Sequence, residues 1–204
     1  MKNIFTTLLA ALLLLGTCVA QAQTIRRVNN TGTAVTGVNV YTTLQAAHDA
    51  ASSGDIIYLE PSGISYGDLT CVRPLTIIGN GYFLQQNAGL QLDTREAIIG
   101  NLYFNNGSAG SRVTGCVIQA SYLIVNASNI TIERNQLNVT TYIGYNPPTG
   151  VTNTVSGIVI RQNYATSGLV LYPVSNTTVS NINITNNIAA ATRSSTWPTA
   201  TSRT

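Results

Sequence analysis

Short apolar alternations, each followed by polar residues and an asparagine, recur through the second half of the chain. Segments 130–137, 158–165 and 182–189 superimpose without gaps, each reading apolar, any, apolar, two polar, asparagine, any, apolar. Apolar residues at every second position are typical of a short strand with one buried face. A polar pair and an asparagine directly afterwards are typical of a sharp turn. The pattern therefore predicts repeated units of strand, turn and strand.

The asparagine position of this repeat, called the slot below, can be followed towards the N-terminus. Residues 75–82 form an earlier copy, and 98–101 and 113–116 are degraded copies, with cysteine in the last slot. The slots are Asn80, Asn101, Cys116, Asn135, Asn163 and Asn187. Their mean spacing of about 21 residues predicts coils of a parallel β-solenoid, stacked about 4.8 Å apart. We expect an Ile/Leu/Val ladder inside and an Asn ladder along the turn.

A short helix is predicted before the first strand. Thr42 or Thr43 is a suitable N-cap for a helix over 44–52, and Gly54 ends it before a strand over 55–59. The side expected to cover the open end of the stack carries Ala46, Ala47, Ala50 and Ala51.

The first residues predict an export signal. Lys2 precedes a mostly apolar run over 4–16, and residues 20–22 supply the small residues of a cleavage site. We expect cleavage after Ala22 and a secreted or cell-surface protein, and the alternative is a lipobox with lipid on Cys18. The predicted organisation is a signal peptide at 1–22, a lead-in at 23–40, a β-solenoid with its helix at 41–191 and a Ser/Thr-rich tail at 192–204.

The composition of the 204-residue chain is that of one globular domain. Hydrophobic residues make up 44% of it and charged residues only 8%, the reverse of what disorder requires. A formal net charge of +3 is too small for a nucleic-acid-binding surface. No apolar run after the signal is long enough to cross a bilayer. We expect a monomer that uses no cofactor.

A known family resembles this chain over most of its length. The resemblance rests on residues 41–59, Pro61, Gly63, Tyr66 and 75–81, together with the repeated slots. These look like the first part of the pectin-lyase-like right-handed parallel β-helix family. The resemblance implies an all-β solenoid of about six or seven coils with an N-terminal capping helix. It does not imply one activity, because the family includes lyases, hydrolases, esterases and adhesins.

Acidic residues offer little for catalysis. The family's lyases use calcium-binding carboxylates with an Arg or Lys base, its hydrolases a cluster of Asp, and its esterases two Asp and an Arg. None of their motifs is present, and no acidic residue follows position 133. Only Asp93 and Glu96, with Arg95 between them, approach the paired carboxyls of a glycosidase. The alternative for this triplet is a solvated turn with a local ion pair.

Polar ladders are predicted on the outside of the strongest coils. Glu133 and Arg161 occupy the same repeat position in successive coils, which predicts a cross-strand pair. One place later, Arg134, Gln162 and Asn186 form an outer polar row.

Metal and redox chemistry are not expected. His48 is the only histidine, and we expect it on the surface at the rim of the helix. Cys71 and Cys116 occupy different repeat positions about two coils apart, roughly 10 Å, which is beyond disulfide reach. Although export permits a disulfide, two free thiols and no zinc site are predicted.

Tyrosines are the best candidates for binding. Tyr142 and Tyr145 lie beside Pro147 and Pro148 in the largest predicted insertion, where function often resides. The leading hypothesis is therefore a non-catalytic secreted surface protein that binds polysaccharide or cell-surface glycan. The alternative is a lyase or hydrolase whose site is cryptic or lies in further C-terminal sequence, because no capping element follows the last predicted coil.

Overall fold

The computed structural model describes residues 23–32, 37–90, 92–145, 153–174, 176–189 and 192–194. The predicted signal peptide with Cys18, the Pro147-Pro148 pair and residues 195–204 lie outside these ranges. Over the described residues the chain is mostly β, with three parallel sheets of stacked strands. This arrangement is compatible with the predicted solenoid. Over the same residues, no helix combines the length and apolar character needed to cross a bilayer.

Within the described ranges, nineteen strands make up the three sheets. Sheet A contains β1 (Ile25–Val28), β2 (Val40–Tyr41), β3 (Ile56–Leu59), β5 (Thr76–Ile78), β8 (Arg112–Thr114), β11 (Thr131–Glu133), β14 (Asn153–Arg161) and β17 (Thr177–Thr185). Sheet B contains β6 (Ile98–Ile99), β9 (Val117–Ile118), β12 (Gln136–Leu137), β15 (Tyr164–Ala165) and β18 (Ile188–Ala189). Sheet C contains β4 (Leu69–Cys71), β7 (Leu102–Phe104), β10 (Tyr122–Val125), β13 (Thr140–Ile143), β16 (Leu169–Leu171) and β19 (Thr192–Ser194). The helices are α1 (Leu44–Ala50) and a 3-10 stretch, Leu84–Leu90.

From β5 onwards the chain visits sheets A, B and C in strict rotation, and one such passage is called a coil below. Five coils are followed from β5 to β19, and β3 and β4 belong to an earlier one. Hydrogen-bonded neighbours in successive coils are 19, 28 and 24 residues apart, so the extra residues are placed between strands. Strand β19 pairs with β16, which extends the stack three residues into the predicted tail.

The predicted apolar ladder fills the interior. In sheet A the paired, fully buried positions are Ile57, Ile77, Val113, Ile132 and Ile160. Each belongs to a strand whose neighbouring residues turn outward, as the period of two requires. Burying each such side chain contributes roughly 1.5–3 kcal/mol, so this column stabilises the stack as a unit.

The Asn ladder is confirmed in the last three slots. The side-chain oxygen of Asn163 accepts from the backbone N–H of Asn135 at 2.9 Å, and that of Asn187 accepts from the N–H of Asn163 at 2.9 Å. Asn135 continues the column by accepting from the backbone N–H of Cys116 at 3.0 Å. Asn135 and Asn163 are buried, so these amides satisfy turn groups that water does not reach.

The two earliest slots behave differently. Asn80 stands opposite Cys116 by the β5–β8 register, but its side chain donates to the carbonyl of Arg95 at 2.6 Å. The assignment of Asn101 to the slot column is wrong. Residues 98–99 form a strand of sheet B, so Asn101 follows sheet B instead of sheet A. The predicted intervals of 21 and 15 residues therefore belong to one long coil.

The left-handed residue of the turn lies one place before the slot. Arg134, Gln162 and Asn186 have φ of 54°, 57° and 53°, and Gly115 has 71°. The slot asparagine follows this residue and supplies the side-chain hydrogen bonds of the turn. The outer row of Arg134 and Gln162 is confirmed, because Arg134 Nε donates to Gln162 Oε1 at 3.0 Å.

Helix α1 packs against the first coils with a different face from the predicted one. Thr43 is the N-cap, accepting from the N–H of Ala46 at 3.2 Å. The buried residues are Leu44, Ala47, His48 and Ala51, while Ala46 and Ala50 are exposed. The expected surface position of His48 is wrong, because it lies four residues after Leu44 on the same face. Its Nε2 accepts from the backbone N–H of Val72 at 3.2 Å.

Candidate functional site

The outer face of sheet C carries a row of aromatic and apolar side chains. Tyr103, Ile124, Tyr142 and Val170 are directly paired in β7, β10, β13 and β16. Their strand neighbours, such as Leu123, are fully buried in the core. Because side chains alternate across a strand, the row itself faces away from the core. The row thus lies on the outer face of sheet C, although Ile124 is covered there and only 6% exposed.

Four tyrosines form one contacting group on this face, called the tyrosine cluster below: Tyr122, Tyr142, Tyr145 and Tyr172. Tyr142 is central, with its ring centroid 4.8 Å from that of Tyr145 in a stacked arrangement. Its centroid is 6.1 Å from Tyr122 and 6.3 Å from Tyr172. Tyr145 and Tyr172 meet edge to face at 5.4 Å. The cluster spans β10, β13 and β16, and therefore three successive coils.

The tyrosine cluster is open to solvent at two of its members. Tyr122 is 43% exposed and Tyr172 is 42% exposed, while Tyr142 and Tyr145 are half-buried between them. Tyrosine rings offer an apolar face and a hydroxyl for hydrogen bonding. The predicted residues Tyr142 and Tyr145 are thus brought together. Tyr122 and Tyr172 complete the group, and only the register across three coils shows that they meet Tyr142.

A polar contact holds one rim of the tyrosine cluster. The side-chain oxygen of Asn101 accepts from the backbone N–H groups of Ser121 and Tyr122 at 3.0 and 2.9 Å. Asp68 in turn accepts from the N–H and the amide of Asn101 at 2.8 and 3.0 Å. Burial, with the nearby Asp68 charge, raises the pKa of Tyr103, so this hydroxyl stays protonated. Asn101 therefore positions the strand that carries Tyr122.

The carboxyl groups of Asp93 and Glu96, the candidate catalytic residues, are each engaged by a different partner. Asp93 binds Arg95 through two hydrogen bonds of 3.0 and 2.7 Å. Glu96 accepts instead from the backbone N–H of Phe83 at 2.7 Å. The Arg95 side chain, followed by its backbone N–H, lowers the pKa of Asp93 to about 2. Asp93 is therefore ionised at neutral pH, which is the wrong state for a general acid.

The predicted Glu133–Arg161 pair is confirmed and has a third member. Arg161 Nε donates to Glu133 Oε2 at 2.6 Å, and Arg112 donates to Glu133 Oε1. Glu133 is 1% exposed although its position faces outward, because the two guanidiniums cover it. Burial opposes ionisation, yet the hydrogen bonds from Arg161 and Arg112 leave the pKa of Glu133 below its ordinary value.

Both described cysteines are free and buried, as predicted. Burial raises the pKa of the Cys116 thiol to about 12, and it also raises that of Cys71.

We expect neither thiol of the folded protein to react with iodoacetamide at pH 8, because both remain protonated and inaccessible. After unfolding in urea, mass spectrometry should show both alkylated. A mass increase of two hydrogen atoms on reduction would contradict this prediction, because it would reveal a disulfide.

Among the described residues, no group of three or more His, Cys, Asp or Glu side chains is arranged to hold a metal ion. Comparisons with protein-family models, with curated proteins and with solved structures found no match to the chain.

Proposed function

We propose that this chain is a secreted right-handed parallel β-helix of the pectin-lyase-like kind that binds glycan without cleaving it. The three stacked parallel sheets, the Asn ladder and the early helix support the fold. Helix α1 acts as the cap of the N-terminal coil, since its buried face packs on the first strands. The glycan lies on the outer face of sheet C.

The tyrosine cluster is the observation that carries this proposal. Tyr122 and Tyr142 lie in strands, and every ring contacts at least one other, so the group loses little conformational freedom when a ligand stacks on it. Its length over three coils suits an extended polymer better than a compact small molecule. Contiguous exposed aromatic side chains are a feature of many binding surfaces.

The acidic candidates lend no support to the alternative of a lyase or hydrolase. Asp93 is ionised and paired with Arg95, and Glu96 accepts from the backbone N–H of Phe83, just before the 3-10 stretch. A glycosidase needs one carboxyl that keeps its proton at working pH and a second that acts opposite it. In the proposed function the protein therefore binds its ligand without cleaving it.

Replacing Tyr142 with alanine tests the proposal. A panel of neutral and acidic polysaccharides is cast into native gels, one polysaccharide in each gel. We expect at least one of them to slow the migration of the protein. Tyr142→Ala should weaken this binding by about tenfold or more, because it removes the central ring that contacts three others. Tyr82→Ala is the matched control, since Tyr82 belongs to another aromatic contact, 5.1 Å from Phe83.

The control variant should bind as the unmodified protein does. If no polysaccharide of the panel slows the protein, the tyrosine cluster is rejected as a glycan site. The same holds if Tyr82→Ala loses as much binding as Tyr142→Ala. Release of new reducing ends from any polysaccharide would show that the protein is an enzyme and would contradict the proposal. In that case Asp93→Ala and Glu96→Ala would be the variants to examine.

A further inference from the structure

Two asparagines of the chain are followed directly by glycine. They are Asn80, before Gly81, and Asn106, before Gly107. In such a pair the backbone nitrogen of the glycine can attack the side-chain amide of the asparagine, because the glycine has no Cβ atom to block the approach. The two dipeptides are identical in sequence, but the structure places them in opposite environments.

Asn80 and Gly81 are both held by hydrogen bonds. The backbone N–H of Gly81 donates to the carbonyl of Gly115 at 2.8 Å. The side-chain amide of Asn80 donates to the carbonyl of Arg95 at 2.6 Å, and its side-chain oxygen is buried. The nitrogen that would attack is therefore directed at another acceptor, and the amide that it would attack is fixed. Reaction at Asn80 requires this turn to open first.

Asn106 and Gly107 form the tip of a tight turn, and both are exposed to solvent. The N–H of Ser108 donates to the carbonyl of Asn105 at 3.0 Å and closes the turn. Gly107 has φ of 95° while φ of Asn106 is not positive, as in a type II turn, whose closing hydrogen bond does not use the glycine N–H. Within the described part of the chain, neither that N–H nor the Asn106 side chain has a hydrogen-bond partner.

The remainder of this turn is anchored, so only its tip is open. Ser108 is fully buried, and its hydroxyl donates to the carbonyl of Asn105 at 2.7 Å. The N–H of Asn105 donates to the carbonyl of Cys71 at 3.0 Å. A Cβ atom on Gly107 would clash with the carbonyl oxygen of Val72. The turn therefore leaves no room for an added backbone atom beside Gly107.

We propose that Asn106 is a site of spontaneous deamidation, with the nitrogen of Gly107 as the nucleophile and water as the second reactant. The nitrogen gives its proton to a base in solvent and bonds to Cγ of Asn106. The bond from Cγ to Nδ2 breaks, and ammonia leaves after taking a proton from solvent. Water then opens the resulting succinimide ring at either carbonyl, which gives aspartate or isoaspartate. Nothing is oxidised or reduced, and the site does not depend on the proposed function.

The two products differ in their effect on the fold. Each adds a negative charge to a chain with only seven acidic residues. Isoaspartate also adds one backbone carbon before Gly107, where the chain packs closely against Val72. We expect isoaspartate to lower the midpoint of thermal unfolding by about 3 °C or more, because the turn has to shift. Aspartate should leave the midpoint nearly unchanged, because the Asn106 side chain is exposed.

Peptide mapping of protein aged at pH 8 tests the inference. In the folded protein we expect Asn106 to deamidate about tenfold faster than Asn80 or more, since the groups at Asn80 are held out of reach of each other. In urea both turns are released, so the two rates should become similar. Asn80 is therefore a control within the same chain. Aspartyl and isoaspartyl peptides should appear together, because both arise from one succinimide.

Two variants connect the chemistry with the fold. Asn106→Gln keeps an amide but has a longer side chain, so it should abolish the acidic species that isoelectric focusing detects in aged protein. Its midpoint of thermal unfolding should stay constant with age. Asn106→Asp carries the charge of one product without the extra backbone carbon. Its midpoint should match that of fresh unmodified protein and exceed that of the aged isoaspartyl form.

Equal rates at Asn80 and Asn106 in the folded protein would overturn the inference. So would an intact Asn106 in folded protein aged for as long as the unfolded chain needs to react completely. Aspartate without isoaspartate would also contradict it, because direct hydrolysis of the amide gives that result. None of these measurements involves a polysaccharide, so the proposed function stands or fails separately.

Discussion

Replacing Asn163 with alanine is expected to lower the free energy of unfolding by about 3–5 kcal/mol. The amide of Asn163 donates to the carbonyls of Ile132 and Arg161 at 2.9 and 3.0 Å and to Asn187. Its oxygen accepts from the backbone N–H of Asn135 at 2.9 Å. Alanine removes all of these at once and leaves buried groups without partners, each of which costs about 1–3 kcal/mol.

Thermal unfolding monitored by circular dichroism should show a fall in the midpoint temperature of about 10 °C. Asn187→Ala is the matched control one coil further on. Asn187 is only partly buried, so water can replace part of its hydrogen bonds, and we expect a smaller loss of about 1–2 kcal/mol. Equal effects of the two substitutions would mean that burial does not set the strength of the ladder.

Gly79→Ala is expected to destabilise the protein by about 3 kcal/mol or more, again measured by thermal unfolding. A Cβ atom at Gly79 would lie 2.3 Å from the carbonyl oxygen of Gly115 and 2.9 Å from the sulfur of Cys116. The first contact is with backbone, which cannot move aside without breaking the pairing of β5 with β8. The hydrogen bond from Gly81 N–H to that same carbonyl, 2.8 Å long, would be strained as well.

The control for this prediction is Gly89→Ala in the 3-10 stretch. A Cβ atom there would meet nothing within 4 Å. We expect a change within about 0.5 kcal/mol, since no contact is disturbed. A mild effect of Gly79→Ala, similar to that of Gly89→Ala, would show that β5 and β8 can separate at this turn.

The stack of strands could be predicted because its two signals are local. Apolar alternation and the following Asn recur within eight residues, and Asn135, Asn163 and Asn187 therefore aligned without knowledge of the fold. Asn101 was misplaced because a Gly-Asn pair after two isoleucines in sheet B reads like the same turn in sheet A. The Glu133–Arg161 pair could be predicted because both residues occupy the same position in two well-matched copies of the repeat.

The site groups were harder to predict because they depend on register across long intervals. Arg112 reaches Glu133 diagonally, from a strand whose repeat is degraded, and it lies two positions before Thr114, the direct partner of Glu133. The tyrosine cluster joins residues from three coils, and its centre, Tyr142, lies in strand β13 instead of in the predicted insertion. His48 was misjudged since its polarity hid the helix periodicity that buries it with Leu44 and Ala47.

Stacking of each coil on its immediate neighbours has a mechanical consequence. If the two ends of the chain are pulled apart, the outermost coil carries the load first and can peel away while the next one remains folded. Coils whose paired residues are 19 to 28 positions apart would release about 60–100 Å of extended chain each. The protein should therefore lengthen under force in unequal steps, and the shortest of the three should come from the coil between Cys116 and Asn135.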